Sequence, residues 1–168
     1  MKKVMVIGCP GSGKSTFSRE LHRITRLPLY YLDMMYWNSD RSIVEKPVFL
    51  KRLNDALQCS EWIIDGNYGS TMELRLQACD TVFFLDYPTE ICLDGIRERR
   101  GKPRPDMPWI EPADKEDAEF ISFIKSYSVD SRPTVMQLLE KYKNREIHIF
   151  KDRTEAGEYL KKLKNNAP

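Results

Sequence analysis

A chain of 168 residues is long enough for one compact domain and too short for two ordinary ones. Its 27 basic and 25 acidic residues leave a formal net charge of +2, which gives no general electrostatic case for binding nucleic acid, although a local basic patch can hide in such a total. No apolar stretch approaches the roughly 20 residues that a membrane-spanning helix needs, so we expect no membrane association.

The cysteines form neither a C-x-x-C pair nor a metal-ligand spacing with histidine. They are Cys9, Cys59, Cys79 and Cys92. This pattern predicts reduced, mostly buried thiols in a cytoplasmic protein. The apolar run in MKKVMVIG is also too short for the core of a secretory signal.

Short runs of β-branched and aromatic residues predict strands along the whole chain. They are KVMVI (3–7), PLYYLD (28–33), EWIID (61–65), TVFFLD (81–86) and EIHIF (146–150). The stretches between them carry apolar residues at helical spacing, beginning with Phe17, Leu21 and Ile24. Strands that alternate with helices predict parallel βαβ units, and therefore a sheet covered by helices on both faces.

One stretch, residues 101–114, shows no helical or strand pattern. Its prolines stand at 103, 105, 108 and 112, which rules out a continuous helix. We expect a mobile segment on the surface.

The sequence GCPGSGKST (8–16) follows the first predicted strand and fits the phosphate-binding pattern G-x-x-x-x-G-K-S. Its glycines let backbone N–H groups turn inward around phosphates, Lys14 reaches the β- and γ-phosphate oxygens, and the Ser15 hydroxyl is a ligand for Mg²⁺. We expect ATP and Mg²⁺ as cofactors. The predicted ATP-binding residues are Gly8, Pro10, Gly11, Ser12, Gly13, Lys14, Ser15 and Thr16.

The motif does not decide between ATP and GTP. However, the chain has no N-K-x-D guanine motif, which argues against a GTPase-like switch.

Three predicted strands end in aspartate, at Asp33, Asp65 and Asp86. Ligands of open α/β sheets bind outside the carboxyl ends of the strands, so these acids should face the same crevice as the phosphate loop. Each one alone is equally compatible with capping the next helix or turn. Because Mg²⁺ keeps several waters and needs acidic help, we predict Asp65 as its first carboxylate and Asp86 as the second candidate.

Two stretches, WIIDGNY (62–68) and VFFLDYPTEICLDGIRERRG (82–101), resemble the adenylate-kinase-like P-loop kinases, a group that includes shikimate- and gluconate-kinase types. More narrowly, YYLDMMYWN, WIIDGNY, GKPRPDMP and SRPTV resemble the bacterial proteins named for DNA topology modulation, across nearly the whole chain. That name describes a genetic effect rather than a reaction.

The broader resemblance implies a three-layer α/β fold of the P-loop NTPase type. It implies a five-stranded parallel sheet of order 2-3-1-4-5, helices on both faces and a small lid. The chain would be a single P-loop kinase domain over 1–168, with an acceptor-side segment at about 34–60 and a lid at about 100–132.

The resemblance also implies arginines at the edge of the lid that clamp ATP, and these map to Arg97 and Arg100, with Arg99 and Arg104 nearby. Arg97 and Arg100 are three residues apart and share a helical face. A basic helix end that offsets the helix dipole is the alternative. Arg132, in SRPT, is a candidate for a second catalytic arginine from the far side of the lid, and an exposed arginine before a proline is equally compatible with a turn.

In related kinases the adenine lies against the loop after the last strand. That loop is KDRTEAG here, which points to Lys151, Asp152 and Arg153.

On the acceptor side, adenylate kinases read D-G-F-P-R after the third strand, and the arginine holds the acceptor's phosphate. This chain reads D-G-N-Y-G-S (65–70), which puts an AMP acceptor in doubt. In the shikimate- and gluconate-kinase types an aspartate near the end of strand two contacts the acceptor hydroxyl, which implies that Asp33 orients or deprotonates it.

Further acceptor contacts stay open. Tyr36 and Trp37 either stack against the acceptor or belong to the core. Arg52 and Arg75 either hold an anionic acceptor or lie on the surface of their helices.

The sequence therefore predicts a phosphotransferase that moves the γ-phosphate of ATP to an unidentified small acceptor, as a monomer or dimer. Its predicted catalytic residues are Lys14, Arg97, Arg100, Asp33 and Arg132. The alternative is an ATP-binding regulatory or DNA-topology-related protein without small-molecule kinase activity, for which RERRGKPR (97–104) is the only supporting stretch.

Overall fold

A computed structural model describes residues 1–112, 114 and 117–166, and the strands in this part form one parallel sheet of order β2-β3-β1-β4-β5. The strands are β1 (Lys3–Gly8), β2 (Leu29–Tyr31), β3 (Trp62–Asp65), β4 (Thr81–Leu85) and β5 (Glu146–Phe150). The predicted strand order is confirmed.

Helices connect consecutive strands wherever the chain crosses over. They are α1 (Lys14–Thr25), α2 (Leu32–Tyr36), α3 (Lys46–Gln58), α4 (Met72–Ala78), α5 (Thr89–Arg99), α6 (Ala118–Asp130), α7 (Arg132–Lys141) and α8 (Arg153–Asn165). The 3-10 turn Gly69–Thr71 precedes α4. None of the described helices is long and apolar enough to cross a membrane.

Strand β1 lies at the centre of the sheet, and its register brings the ends of three strands together. Val6 is paired with Asp65 of β3, and Gly8 is paired with Leu85 of β4. The carboxyl ends of parallel strands lie at the same edge, so the phosphate loop and Asp65 leave the sheet side by side.

The core has two halves, one on each face of the sheet. Val4 and Val6 of β1 pack with Phe17 and Leu21 on one face, whereas Met5 and Ile7 pack on the other with residues of α3 and α7. Successive side chains of a strand point to opposite faces, so the fully buried run of β1 is shared between both halves. This confirms that helices cover both faces of the sheet.

The structure differs from the prediction around Asp33. Strand β2 ends at Tyr31 and α2 begins at Leu32, so Asp33 lies in the first turn of a short helix and not at the end of a strand. A chain that turns into a helix here places consecutive side chains about 100° apart instead of on alternating faces.

The proline-rich stretch has neither helix nor strand among its described residues, as predicted, but it is more than a surface loop. We call its residues 101–112 the cover segment. Asp106 within it is buried, and Trp109 is half-buried. The predicted lid also includes α6, whose Ile124 and Tyr127 belong to the core.

All four cysteines are free thiols in the described part of the chain. Three of them are buried and Cys59 is half-buried, which agrees with the prediction.

Candidate active site

The phosphate loop connects the end of β1 to α1. Gly11 and Gly13 have φ angles of 84° and 91°, in the left-handed region that favours glycine. The Lys14 ammonium donates to the carbonyl oxygens of Gly8 at 2.9 Å and Cys9 at 3.2 Å, so it lies inside the loop. Backbone N–H groups, the amino end of α1 and this ammonium together form a site for anionic phosphate.

A continuous cavity of about 1510 Å³ opens above this loop, and residues 10–16 line it. A pocket for a single small ligand usually measures about 300–1000 Å³, so this cavity has the volume for two substrates. The start of the loop is held by a hydrogen bond in which the Gly8 N–H donates to Asn67 Oδ1 at 2.9 Å.

Asp65 lines the cavity at the end of β3 and is 4% exposed. Its Oδ1 has no hydrogen-bond partner among the described residues. Burial raises the pKa of Asp65 to about 6. The positive charge of Lys14 lowers this pKa, and the negative charges of Asp33 and Asp106 raise it further. A buried carboxylate oxygen that lacks a partner costs free energy unless a cation or donor compensates it.

These residues fit Mg²⁺. Ser15 and Asp65 supply the hard oxygen atoms that this ion prefers, and it usually retains waters and binds phosphates in addition. Within the described residues no three His, Cys, Asp or Glu side chains stand close enough to hold a metal unaided.

The structure adds an acid that the sequence analysis missed. Ser15 Oγ donates to Asp106 Oδ2 at 3.0 Å, across 91 positions of sequence. Arg104 Nη1 lies 3.3 Å from Asp106 Oδ2, and Arg19 Nη1 lies 3.7 Å from its Oδ1. Asp106 follows no strand and stands between prolines, so only its place in the GKPRPDMP stretch could have drawn attention to it.

Asp33 faces the same cavity from α2. Tyr68 Oη donates to Asp33 Oδ1 at 2.6 Å. Burial, together with the charge of Asp33 and this hydrogen bond, raises the pKa of Tyr68, so its phenol stays protonated and remains a donor. The predicted acceptor aspartate therefore faces the same cavity as the phosphate loop, with one oxygen held in place.

Aromatic side chains form the wall next to Asp33. The rings of Trp37 and Trp109 meet edge to face with centroids 6.1 Å apart, and both line the cavity. The Arg41 guanidinium lies 5.0 Å from the centroid of Trp109. Tyr36 instead packs between Phe49 and Tyr68, so of the two predicted aromatics only Trp37 lines the cavity.

Arg75 neither faces the cavity to hold an acceptor nor lies on the surface of its helix, which were the two alternatives predicted for it. It is fully buried and donates to the carbonyl oxygens of Gly66 at 2.7 Å, Asn67, and Tyr68 at 3.1 Å. Burial lowers the pKa of Arg75 to about 9. It therefore fixes the loop that carries Asn67 and Tyr68, and so supports both the phosphate loop and Asp33.

Arg52 stays on the surface, where it donates to the Met35 carbonyl oxygen at 2.9 Å. It does not line the cavity.

The arginines near the lid require a correction. Arg97 is exposed, pairs with Asp94 at 2.8 Å and lies outside the cavity, whereas Arg99, Arg100 and Arg104 line it. The expected shared face of Arg97 and Arg100 does not form, because α5 ends at Arg99 and the backbone of Arg100 leaves the helix with φ −58° and ψ 138°.

Arg99 and Arg104 are held by one carboxylate of the cover segment. Arg99 binds Glu111 through two hydrogen bonds of 3.0 and 2.6 Å, and Arg104 lies 3.4 Å from the same carboxylate. The fork of Arg99 is therefore already oriented at the cavity wall.

A second correction concerns Asp86 and Arg132, which pair with each other outside the cavity. Arg132 donates to both oxygens of Asp86, at 2.7 and 2.8 Å, and Lys151 donates to Oδ2 at 2.5 Å. Burial opposes ionisation of Asp86, but these bonds outweigh it and lower its pKa. With its oxygens already bound, Asp86 is not placed as a metal ligand, and Arg132 is not placed as a catalytic group.

The three residues of the predicted adenine loop have different positions, and only one of them lines the cavity. Lys151 belongs to that ion-pair cluster, and Asp152 caps α8 by accepting from the N–H groups of Thr154 and Glu155. Arg153 lines the cavity.

No protein-family model matches this sequence, and no curated protein matches it. Among solved structures, the chain is similar to the shikimate kinase from Bacteroides thetaiotaomicron, with 19% identity and a TM-score of 0.57 over 96% of each chain. It is also similar to the shikimate kinase from Acinetobacter baumannii in complex with shikimate, with 16% identity and a TM-score of 0.63 over 97% of this chain and 90% of that one.

At these identities the likeness shows the fold, which is the P-loop NTPase fold in the arrangement found in shikimate kinases. The broader predicted resemblance is confirmed at the level of fold. The narrower resemblance to the topology-modulation proteins has no counterpart in these comparisons.

Proposed function

We propose that this protein is an ATP-dependent phosphotransferase that transfers the γ-phosphate to a hydroxyl group of a small molecule. One observation carries the proposal: the phosphate loop and the hydrogen-bonded pair Asp33–Tyr68 open into the same cavity. An oriented carboxylate that faces the same cavity as the phosphate loop suits transfer of phosphate to a hydroxyl group, and a protein that only bound ATP would not need it.

On the donor side, the loop residues 8–16 bind the phosphates of ATP. Lys14 supplies a positive charge at the β- and γ-phosphates, and Arg99 and Arg104 supply planar donors from the cavity wall. Ser15 and Asp65 would hold the Mg²⁺, which neutralises phosphate charge when it is bound. The protein's contribution is mainly positioning and charge stabilisation.

On the acceptor side, Asp33 orients the acceptor hydroxyl and takes its proton. The hydroxyl oxygen forms a bond to the γ-phosphorus, the bond from that phosphorus to the bridging oxygen of ADP breaks, and the released proton passes to the Asp33 carboxylate. Tyr68 fixes the carboxylate by its hydrogen bond to Oδ1, which leaves the other carboxylate oxygen for the acceptor.

The acceptor that fits this wall is a hydroxylated compound with a ring face that can lie on an indole. Trp37 and Trp109 supply such surfaces beside Asp33. One similar solved structure holds shikimate, a small hydroxylated ring, which supports this class of acceptor over a nucleoside monophosphate.

The test is a coupled assay of ADP release with ATP and Mg²⁺ against shikimate and other cyclic hydroxy acids, free sugars, nucleosides and nucleoside monophosphates. We expect one hydroxylated ring compound to raise turnover well above the rate with water. Lys14→Ala should abolish turnover, and Asp33→Asn should lower kcat about 100-fold or more with little change in the KM for ATP. If no acceptor raises ADP release above the water rate, the proposal is wrong.

The second candidate, an ATP-binding protein with a DNA-related role, rests on the narrower resemblance and on the basic run 97–104. Within that run, Arg99 and Arg104 bind Glu111 and Asp106, which reduces the charge available to a phosphate backbone. Salt-sensitive DNA binding that survives Lys14→Ala would favour this candidate.

A further inference from the structure

The cover segment touches the phosphate loop through one specific contact, between Asp106 and Ser15. The Ser15 hydroxyl, whose oxygen is the loop's ligand for the nucleotide's Mg²⁺, donates to Asp106 Oδ2 at 3.0 Å. Asp106 is 3% exposed although it belongs to a segment without helix or strand. A buried carboxylate in an irregular segment needs a specific reason to be there.

Two observations show that this position suits a cation. Asp65 lies in the same wall of the cavity with a buried Oδ1 that has no partner among the described residues. The charges of Asp65 and Asp106 act on each other, since Asp106 contributes to the raised pKa of Asp65. Two neighbouring carboxylates repel each other, and the positive charges beside them, Lys14 near Asp65 and Arg19 and Arg104 against Asp106, still leave the pKa of Asp65 raised.

We propose that Asp106 is a further holder of the Mg²⁺ that accompanies ATP, bound to it directly or through one water and carried to the site by the cover segment. This inference rests on the proposed function. The Ser15 hydroxyl oxygen is 3.0 Å from Asp106 Oδ2, so a cation bound to that oxygen lies next to the carboxylate. Asp65 and Asp106 then place negative charge around Ser15 from two separate parts of the chain.

This arrangement couples metal binding to the position of the cover segment. The segment is also attached on the acceptor side, where Trp109 packs on Trp37 and Arg41 donates to the Ile110 carbonyl oxygen at 3.3 Å. A cation that binds both Ser15 and Asp106 therefore joins the ATP side to the acceptor wall. Closure over the reacting phosphate would then require the metal as well as the nucleotide.

The competing explanation is that Asp106 only occupies the Ser15 hydroxyl and must leave before the metal binds. The two explanations predict opposite effects of removing the charge. If Asp106 holds the metal, Asp106→Asn weakens binding of ATP with Mg²⁺; if it competes with the metal, the same change strengthens it.

The experiment measures ATP binding by calorimetry at a series of Mg²⁺ concentrations and in EDTA. Mg²⁺ raises the affinity for ATP, and the readout is the Mg²⁺ concentration that gives half of this gain. For Asp106→Asn we expect that concentration to rise at least about tenfold, which is the size of effect seen when a residue that supports a metal ligand is removed. ATP affinity in EDTA should stay the same within about twofold. Asp114→Asn is the matched control, because it makes the same chemical change at an exposed position just beyond the cover segment.

A second readout follows the segment itself. In a Trp37→Phe background the remaining indoles are Trp109 of the cover segment and Trp62, which is fully buried in β3. We expect ATP with Mg²⁺ to change the Trp109 fluorescence. At the Mg²⁺ concentration that is half-saturating for the unmodified protein, Asp106→Asn should remove most of that change. Asp106→Glu keeps the charge and should retain most of the Mg²⁺ response, even if its extra methylene lowers the melting temperature.

The outcomes separate the two proposals. Unchanged or tighter binding of ATP with Mg²⁺ in a folded Asp106→Asn protein overturns the role of Asp106 and leaves the proposed function standing. Loss of the Mg²⁺ response in Asp106→Glu as great as in Asp106→Asn also overturns it, because packing and not charge would then be responsible. No binding of ATP by the unmodified protein overturns the proposed function and this inference with it.

Discussion

Gly95 of α5 lies directly against Gly11 of the phosphate loop. A Cβ atom on residue 95 would stand 2.0 Å from the Gly11 carbonyl oxygen, and one on residue 11 would stand 1.9 Å from the Cys92 carbonyl oxygen. Glycine usually weakens the interior of a helix, so its presence in α5 reflects this close approach of two backbones. The curve of the phosphate loop is therefore set partly by a helix more than 80 positions away in sequence.

We expect Gly95→Ala to lower the free energy of unfolding by about 2 kcal/mol, because backbone atoms cannot yield as a flexible side chain does. ATP affinity should fall with it. Gly157→Ala in α8 is the control, since a Cβ there meets nothing within 4 Å. That change should be neutral or stabilising by up to about 1 kcal/mol. Urea unfolding of both variants checks this, and equal effects would contradict the role of the contact.

The arginines predicted for the edge of the lid should differ in their effect on kcat according to whether they line the cavity. Arg99→Ala and Arg104→Ala are expected to lower kcat about 10-fold to 1000-fold, because their guanidinium groups line the cavity. Arg97→Ala should change kcat less than twofold, since Arg97 pairs with Asp94 on the surface. Steady-state kinetics with the best acceptor measures all three. A large loss for Arg97→Ala would restore the assignment that the sequence alone suggested.

Asp65 should make the free protein less stable as pH rises. Its pKa of about 6 in the folded state lies above the ordinary value of 3.8, so the folded state holds the proton more tightly than the unfolded state. Stability from this group is complete below about pH 4 and is lost as pH rises through about 6, by up to about 3 kcal/mol.

Asp65→Asn removes this penalty. We expect the variant to be more stable than the unmodified protein at pH 8 without nucleotide, and equal to it near pH 4. ATP with Mg²⁺ should stabilise the unmodified protein much more than the variant. Urea unfolding at both pH values is the measurement, and an equal loss of stability at both would contradict a charge effect.

Arg75 should matter for stability although it touches no substrate. Arg75→Met is expected to cost about 3 to 5 kcal/mol, because it leaves the buried carbonyl group of Gly66 and the part-buried carbonyl groups of Asn67 and Tyr68 without their donor. Arg52→Met is the matched control, since Arg52 is exposed and donates to a single carbonyl oxygen. Thermal unfolding distinguishes them, and similar melting temperatures would contradict the proposed support.

Local sequence determined the phosphate loop of this protein. The spacing from Gly8 to Thr16 needs only a preceding strand and a following helix to form its site, and both were visible as short patterns. The alternation of apolar runs likewise fixed the parallel sheet, because period-2 and period-3.6 patterns are properties of neighbouring residues. The strand order came from the resemblance, and the pairing of β1 with β3 and β4 confirms it.

Tertiary structure decided the surroundings of Asp33 and the choice among similar residues. Arg97 and Arg99 look equivalent in sequence, as do Asp65 and Asp86, yet in each pair only one faces the cavity. The direction of a side chain depends on where its helix ends and on which distant partner neutralises it, as Arg132 does for Asp86. Contacts such as Ser15 with Asp106 join residues far apart in sequence, so no local pattern carries them, and only the folded chain brings them together.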